Sequence, residues 1–451
     1  MNAQLKRGRV LRAGGRVAAV DEDKDYQWVY ASIDSHGPNG NPMTTASTSR
    51  AAEDQARQRS IAFLNWAHAL DHYVLLIYPT VVIGLEVIYQ RPYSELIALS
   101  STAFVAFGVF SLPAGWLADR WSRRNMMAAF YLGCGLSLAG AGFAPNLTAL
   151  AAAMFALGMF ASIYHPVGMA MLIHASNARG RTLAFNGVCG NLGVSLAAGI
   201  SAALATWFGW RAAFFAPAAI LIATGIFYLW VTPDDRHHAK TRISAPAVPL
   251  TPRLAVMLFG LFIVIALSAG LTFNVLTIAL PKIVDERLSR DLPLVLVGGI
   301  ATSVLVCGAL AQLTVGRAVE WIPPHVIFAI VTGIGFLGNL WAAYASGVAL
   351  LIALAIAIAA IYGQVTVNDM IMARYTADAW RGRVYAVRYF LLFISAGAAI
   401  GMISLLHESG GFALVLGVNA VIALLLFITT LALVAMIISV EGKQRAPQPA
   451  E

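Results

Sequence analysis

Charged residues are scarce in this sequence. Lys, Arg, Asp and Glu make up 12% of its 451 residues, whereas soluble domains contain roughly 25%. Hydrophobic residues make up 59%, and the mean hydropathy is +0.73. The composition therefore excludes an ordinary soluble globular protein and predicts a protein that lies in a membrane.

Cysteine is also scarce, and no nucleotide-binding loop is present. Cys134, Cys189 and Cys307 lie in unrelated apolar segments, without the spacing of a disulfide framework or a metal site. We therefore interpret them as small core residues. The pattern G-x-x-x-x-G-K-[ST], which binds nucleotide phosphates, does not occur, so ATP is not expected to drive the protein directly.

The N-terminal segment is polar and lacks the apolar core of a secretory signal. We predict that residues 1–60 form a disordered cytoplasmic extension. The net charge of +8 comes largely from this segment and from short loops. It is therefore interpreted as a signal for orientation in the membrane, and no nucleic-acid partner is expected.

Long apolar runs dominate the rest of the chain. A run of about 20 residues suffices to cross a hydrocarbon core of about 30 Å, and twelve such runs are present. We therefore predict an all-α membrane protein with twelve transmembrane helices, a polar, Pro-rich cytoplasmic linker at 232–253 and a cytoplasmic tail at 439–451. The predicted spans are 61–88, 94–116, 125–144, 148–174, 183–207, 211–231, 254–282, 291–314, 325–345, 347–373, 383–406 and 411–438.

Basic residues predict the orientation. Lys and Arg are concentrated in the loops on the same side as the N-terminus, such as Arg120 to Arg124, and cytoplasmic loops carry this excess. Both termini are therefore expected in the cytoplasm of a multi-pass cell-membrane protein, with a bacterial inner membrane as the expected location.

The sequence repeats itself. "ARGRTLAFN" (178–186) resembles "WRGRVYAVR" (380–388) at a separation of 202 residues, and the same separation places Pro79 on Pro281 and His72 on Asn274. Such duplication is typical of transporters. It predicts two homologous six-helix bundles, 61–231 and 254–438.

Three titratable residues interrupt the first span. His68, Asp71 and His72 are spaced i, i+3 and i+4, which places them on one helix face. An ionised carboxylate inside a bilayer is costly unless it is paired, protonated or facing water. His165 in span four reaches a similar depth. Such groups can bind an anion or relay protons, because imidazole titrates near neutrality; hydrogen bonding between helices is the alternative.

A loop motif carries a family resemblance. "GWLADRWSRR" (115–124) resembles the signature loop of the major facilitator superfamily, and the duplication and the central linker fit that superfamily. "HALDHYVLLIYP" in span one and "ASIYHPVGMAML" (161–172) resemble its fosmidomycin-resistance-like group. Unlike many drug/proton antiporters of the superfamily, the chain has no Arg in the middle of span four and has Asn191 where span five usually has Pro.

The resemblance implies a site in a central cavity. In the superfamily, spans one, four, seven and ten line this cavity, so the titratable residues of spans one and four are expected to share one polar layer. Helix packing is the alternative for each of them. The candidate substrate- and proton-binding residues are His68, Asp71, His72, His165, Tyr164 and Asn274.

Two further groups of charges are candidate gating elements. The resemblance implies that Asp119, with the arginines that follow it, bridges the two halves at the cytoplasmic face in the outward-facing state; topology alone is the alternative. Asp369 and Arg388 lie at matching depths in spans ten and eleven, and we predict an ion pair with a structural or gating role. The arginines of the first group are Arg120, Arg123 and Arg124.

Secondary active transport by alternating access is the function that these features favour. We expect proton-coupled efflux of a drug or metabolite by a monomer, with uptake of a small organic anion as the alternative. A membrane-embedded metalloenzyme that uses the histidines of spans one and four is a distant alternative. Too few of the nine histidines lie in the apolar spans for a di-metal site, so no enzymatic activity, metal or cofactor is expected.

Overall fold

The structure is a computed structural model that describes residues 10–13, 16–19, 43–175, 179–232, 251–288, 291–376 and 378–445. The chain divides into two compact units, Met1–Asp54 and Gln55–Glu451. In the first unit, β1 (Val10–Ala13) pairs antiparallel with β2 (Arg16–Ala19). These strands lie in the segment predicted to be disordered. Most of that segment is outside the described residues, so the predicted domain boundaries stay predictions.

From residue 43 onward the described residues are almost entirely helical. A π-helical segment, Tyr164–Gly168, lies between α5 and α6. The α-helices are α1 (Met43–Tyr89), α2 (Tyr93–Ala98), α3 (Ser101–Arg120), α4 (Arg123–Phe143), α5 (Leu147–Ala161), α6 (Met169–Ala175), α7 (Arg179–Phe208), α8 (Ala212–Val231), α9 (Pro252–Arg287), α10 (Leu294–Ala318), α11 (Pro324–Tyr344), α12 (Gly347–Tyr375) and α13 (Asp378–Arg445).

The helices confirm the predicted membrane fold. Among the described residues, eleven helical stretches are long and apolar enough to cross a membrane. The last stretch, Phe390–Glu441, has 52 residues. At 1.5 Å per residue it would measure about 78 Å, more than twice the thickness of a bilayer core. Non-helical backbone at Gly410 and Gly411 divides it, so it supplies spans eleven and twelve.

Glycine makes this division possible. Gly411 has φ +62°, a left-handed conformation that residues with a Cβ rarely adopt. The chain therefore passes from span eleven to span twelve through two residues, close to the boundary predicted between 406 and 411.

Polar residues in the loops define where several helices begin. The side chains of Ser122, Asn146 and Thr251 accept hydrogen bonds from backbone N–H groups in the first turns of α4, α5 and α9. These are favoured N-cap residues because they satisfy donors that a helix leaves unpaired. Inside the spans, the backbone groups must be satisfied by the helix itself, since lipid offers no partners.

The packing of the helices repeats between the two halves. In the N-terminal half α3 packs against α5 and α4 against α8; in the C-terminal half α10 packs against α12 and α11 against α13. Contacts of α7 with α10 and of α3 with α13 join the halves. The duplication predicted from the sequence is therefore present as two six-helix bundles.

Candidate functional site

The site begins at an irregular turn of span four. Proline has no N–H and its ring clashes with the preceding turn of a regular α-helix. At Pro166 the helix widens into the π-helical segment Tyr164–Gly168, and such segments are frequent at functional sites. This turn carries the side chains of Tyr164 and His165.

The structure brings four predicted residues together. His165 Nε2 lies 3.4 Å from Asp71 Oδ2, and the Nε2 atoms of His68 and His72 are 3.2 Å apart. The His165 ring centroid lies 5.5 Å from those of both other histidines. We call His68, Asp71, His72 and His165 the His-Asp cluster.

Asp71 is the most deeply buried member of the cluster. Its relative exposure is 0%, and neither carboxylate oxygen accepts a hydrogen bond from a residue that the structure describes. The Nε2 atom of His165 lies 3.4 Å from its Oδ2. A buried carboxylate with so few donors is unfavourable unless a positive charge lies close to it.

The tautomer of neutral His68 follows from its hydrogen bonds. His68 Nδ1 lies 2.7 Å from the backbone oxygen of Asn186, and a carbonyl only accepts, so Nδ1 carries the hydrogen. His68 Nε2 then presents a lone pair, which accepts from His72 Nε2. The orientation of both rings is therefore set by the backbone of span five.

Asn186 connects three spans around the cluster. Its Nδ2 donates to Asn65 Oδ1 at 3.0 Å and to the Tyr164 hydroxyl at 2.9 Å. The Tyr164 ring in turn stacks on His68, with 4.9 Å between ring centroids. Sequence analysis did not select Asn65 or Asn186 as site residues. Their signals were the helical spacing of Asn65 from His68 and the alignment of Asn186 with Arg388 in the repeat.

Two glycines of span five allow this close packing. A Cβ at Gly190 would lie 2.6 Å from Cε1 of His68, and a Cβ at Gly193 would lie 2.0 Å from the backbone oxygen of Ala69. Span five can therefore approach span one only because these positions lack side chains.

The cluster faces the boundary between the two halves. Phe107 of span two packs edge-on against Phe393 of span eleven, with 4.5 Å between centroids. The His165 ring lies 6.0 Å from Phe107 and 5.2 Å from Phe393. A relative movement of the halves must therefore change the surroundings of His165.

Asn274 makes its described contacts outside the His-Asp cluster. Its Nδ2 donates to the backbone oxygen of Gly270 at 2.8 Å and approaches Ser395 Oγ at 3.5 Å. Both partners belong to the C-terminal half. The structure thus groups five of the six predicted binding residues and leaves Asn274 in the other half.

The predicted latch residues have local contacts. Arg124 donates from Nε to the backbone oxygen of Thr232 at 2.6 Å and also to that of Leu229, at the C-terminus of α8, where cations interact favourably with the helix dipole. Arg120 lies over Trp116, 4.0 Å from the ring centroid. Arg123 is part of α4. The side chain of Asp119 is outside the described part of the chain.

The predicted pair in spans ten and eleven is formed. The guanidinium of Arg388 contacts the carboxylate of Asp369, and Arg388 is buried, with 7% exposure. This ion pair joins α12 to α13 within the C-terminal half.

A charge network that the sequence did not reveal lies where span one ends. We call this side of the membrane unit the far face. The ammonium of Lys282 contacts Glu86 of the other half and lies 2.9 Å from Asp285 Oδ2 and 3.4 Å from Glu286 Oε1. His407 Nε2 lies 3.0 Å from Glu286 Oε2.

Neighbouring contacts also join the halves at the far face. Ser404 Oγ donates to the backbone oxygen of Ser94 at 2.8 Å, and the rings of Tyr93 and His407 lie 5.1 Å apart. Together with the Glu86–Lys282 pair, these contacts link the two halves through several side chains at the far face.

Comparison with known proteins gives the family. The model of the Major Facilitator Superfamily matches residues 61–401, well over half of the chain. The chain belongs to the Major Facilitator Superfamily. This membership and the eleven apolar helical stretches of the described residues make it a multi-pass membrane protein. The narrower resemblance to the fosmidomycin-resistance-like group stays a prediction.

Two curated transporters match parts of the chain. The niacin transporter NiaP of Acinetobacter baylyi is 32% identical over 116 residues, which cover 25% of this chain and 26% of that protein. The "Probable L-galactonate transporter" of Escherichia coli is 28% identical over 151 residues, or 33% of each chain. The chain thus spans a quarter to a third of the length of these relatives.

Solved structures share the fold. A POT family transporter in complex with 5-aminolevulinic acid has a TM-score of 0.67 and 12% identity, covering 85% of this chain and 96% of its own. A bacterial homolog of the human lysosomal transporter Spinster has a TM-score of 0.65 and 13% identity, covering 88% and 99%. At these identities the likeness concerns the fold alone.

Proposed function

We propose that this protein is a secondary active transporter that carries a small organic acid across the membrane by alternating access. The observation that carries the proposal is the His-Asp cluster, which lies midway along spans one and four at the boundary between the halves. In two-fold repeated transporters, substrate sites occupy such a position.

The cluster contains side chains that can bind the carboxylate of a substrate. The imidazole of His165 is a hydrogen-bond donor for an anionic group, and the His72 ring lies beside it, 5.5 Å between centroids. The two curated relatives are named for niacin and L-galactonate, and both compounds are carboxylic acids. These names favour a small organic anion, which is the alternative substrate class of the sequence-based prediction.

The far-face contacts support a mechanism of alternating access. Glu86 and Lys282 hold the halves together on one side, and we propose that these contacts separate when the other side closes. The latch around Asp119 is the proposed counterpart on the side of the N-terminus. The Asp369–Arg388 pair would keep spans ten and eleven aligned during this movement.

The energy source and the topology are part of the same proposal. Since no nucleotide-binding loop is present, a proton gradient is the proposed driving force. Efflux is the direction expected from the sequence, with uptake as the alternative. The distribution of basic residues supports cytoplasmic termini in a bacterial inner membrane, and we propose a monomer without enzymatic activity.

A flux assay tests the proposal. Purified protein in liposomes would be given an imposed pH gradient of either sign, with radiolabelled nicotinate, L-galactonate, a phosphonate or a lipophilic drug. We expect saturable movement of an organic acid that depends on the gradient, and its sign gives the direction. Flux of lipophilic drugs alone, or organic-acid flux that does not depend on the pH gradient, would contradict the proposal.

A further inference from the structure

The cluster has a second chemical capacity, which is metal binding. We propose that His68, His72 and His165 together bind one divalent transition-metal ion of the Zn²⁺ class. Each of these side chains offers one ring nitrogen, and the three nitrogens lie within 4.8 Å of one another. Span one supplies two of the ligands and span four supplies the third.

The distances suit a single ion. A tetrahedral Zn²⁺ ion with Zn–N bonds of about 2.0–2.1 Å has neighbouring nitrogens about 3.3 Å apart. The Nε2 atoms of His68 and His72 are 3.2 Å apart, so this pair already has the separation of two ligands of one ion. His165 completes a three-nitrogen set with a small adjustment of its side chain.

A backbone carbonyl orients one of the ligands, His68, as carbonyls do in known metal sites. A metal-bound histidine almost always donates its other ring N–H to a carbonyl or carboxylate. His68 Nδ1 makes this bond to the Asn186 carbonyl, which leaves Nε2 to face the ion. Asn186 is itself held by Asn65 and Tyr164.

The charge of Asp71 favours a cation here. Its carboxylate is fully buried and accepts no hydrogen bond from the described residues. A divalent ion beside it would supply the positive charge that this carboxylate needs. Three imidazole nitrogens select Zn²⁺, Co²⁺, Ni²⁺ or Cu²⁺ over Mg²⁺ and Ca²⁺, which prefer oxygen ligands.

Access to the site is through the boundary between the halves. The His165 side chain is 12% exposed and is the member of the cluster that contacts Phe393 of the other half. An ion held there occupies the donors that would bind an organic acid. The ion is therefore expected to inhibit transport, and this consequence alone rests on the proposed function.

Binding is tested first without transport. Full-length protein in detergent, freed of metal by a chelator, would be titrated with Co²⁺ by visible absorption and with Zn²⁺ by calorimetry. We expect one site per chain. His72→Gln and His165→Gln should weaken it at least about tenfold, since each removes one of three ligands. The matched control is His407→Gln, which changes a histidine at the far face and should leave binding unchanged.

The outcomes separate the two proposals. Absence of a stoichiometric site, or equal weakening in His407→Gln, overturns the metal inference. A thermal unfolding midpoint within the range of wild type is required of each variant, so that loss of binding is not loss of fold. Transport measured in excess chelator tests the proposed function by itself: transport without Zn²⁺ binding refutes only the metal site, and Zn²⁺ binding without transport refutes only the transporter.

Discussion

The two halves of the protein share one scaffold and differ in chemistry at the same depth. Residues 68–72 of span one contribute a carboxylate and two imidazoles to a buried cluster. The equivalent residues 270–274 of span seven contribute none. There Phe273 packs against Tyr362, with 5.3 Å between centroids, and Asn274 donates to a carbonyl of its own helix. The scaffold therefore does not need titratable residues at this position of the span, and the cluster is an addition to one half.

In each half, a glycine allows two spans to pack closely, but the glycine lies on different spans. In the N-terminal half it is Gly190 of span five, which leaves room for His68. In the C-terminal half it is on span seven, where a Cβ at Gly270 would lie 2.2 Å from Ser395 Oγ. Gly270 is the equivalent of His68. Both halves thus keep these spans close, but only one half uses the space for an imidazole.

The largest expected effect comes from removing the charge that distinguishes the halves. Asp71→Asn keeps the shape of the side chain and removes the ionisable carboxyl group that faces His165. We expect liposome flux to fall by at least about 100-fold, because charged groups at this depth are retained for function. Asn274→Ala, at the equivalent of His72, should keep flux within about threefold of wild type. An equal loss of flux in both variants would contradict the difference between the halves from which the site was inferred.

A smaller effect is expected where the halves meet. Lys282→Gln removes the cation among Glu86, Asp285 and Glu286, so the remaining carboxylates repel one another and the far face should open. We expect about a tenfold increase in the rate at which a membrane-impermeant maleimide labels a cysteine placed at Ser94.

The control for this change is Arg91→Gln. Arg91 pairs with Glu95 on the exposed surface, and exposed pairs contribute only about 0–1 kcal/mol. Labelling at position 94 should be the same in Arg91→Gln as in wild type. A rate that also stays unchanged in Lys282→Gln would show that the charge network does not hold the far face closed.

The smallest expected effect concerns the packing of spans one and five. Gly190→Ala places a methyl group against the His68 ring, which the Asn186 carbonyl holds in place. We expect destabilisation of about 1–3 kcal/mol, measured as a lower midpoint of thermal unfolding in detergent. Gly187→Ala, on the same helix with no atom within 4 Å of its Cβ, is the matched control. A midpoint that moves equally in both would mean that Gly190 does not limit the approach of span one.

The fold was predictable because every segment that crosses a bilayer must be long and apolar. Each span needs about 20 apolar residues, and the repeat shows how the spans are grouped. The grouping of His68, Asp71, His72 and His165 was also accessible, since helical spacing gives the face and span direction gives the depth. The helix that contains span one begins at Met43, before the start of the apolar run at 61.

The far-face network was not predictable in the same way. Glu86 and Lys282 are 196 residues apart and lie near helix ends, where charges are common in any membrane protein. Their pairing depends on the relative orientation of the two halves, and no local sequence pattern encodes that orientation. Asn186 was missed for a related reason: part of its role lies in a backbone carbonyl, which every residue has.

The break at Gly410 and Gly411 has a mechanical consequence. A connection of two residues is too short to let spans eleven and twelve separate at the far face. These ends of the two spans must therefore move together. Ser404 and His407 lie just before the break and contact the N-terminal half and Glu286. Any opening at the far face must therefore displace span twelve together with span eleven.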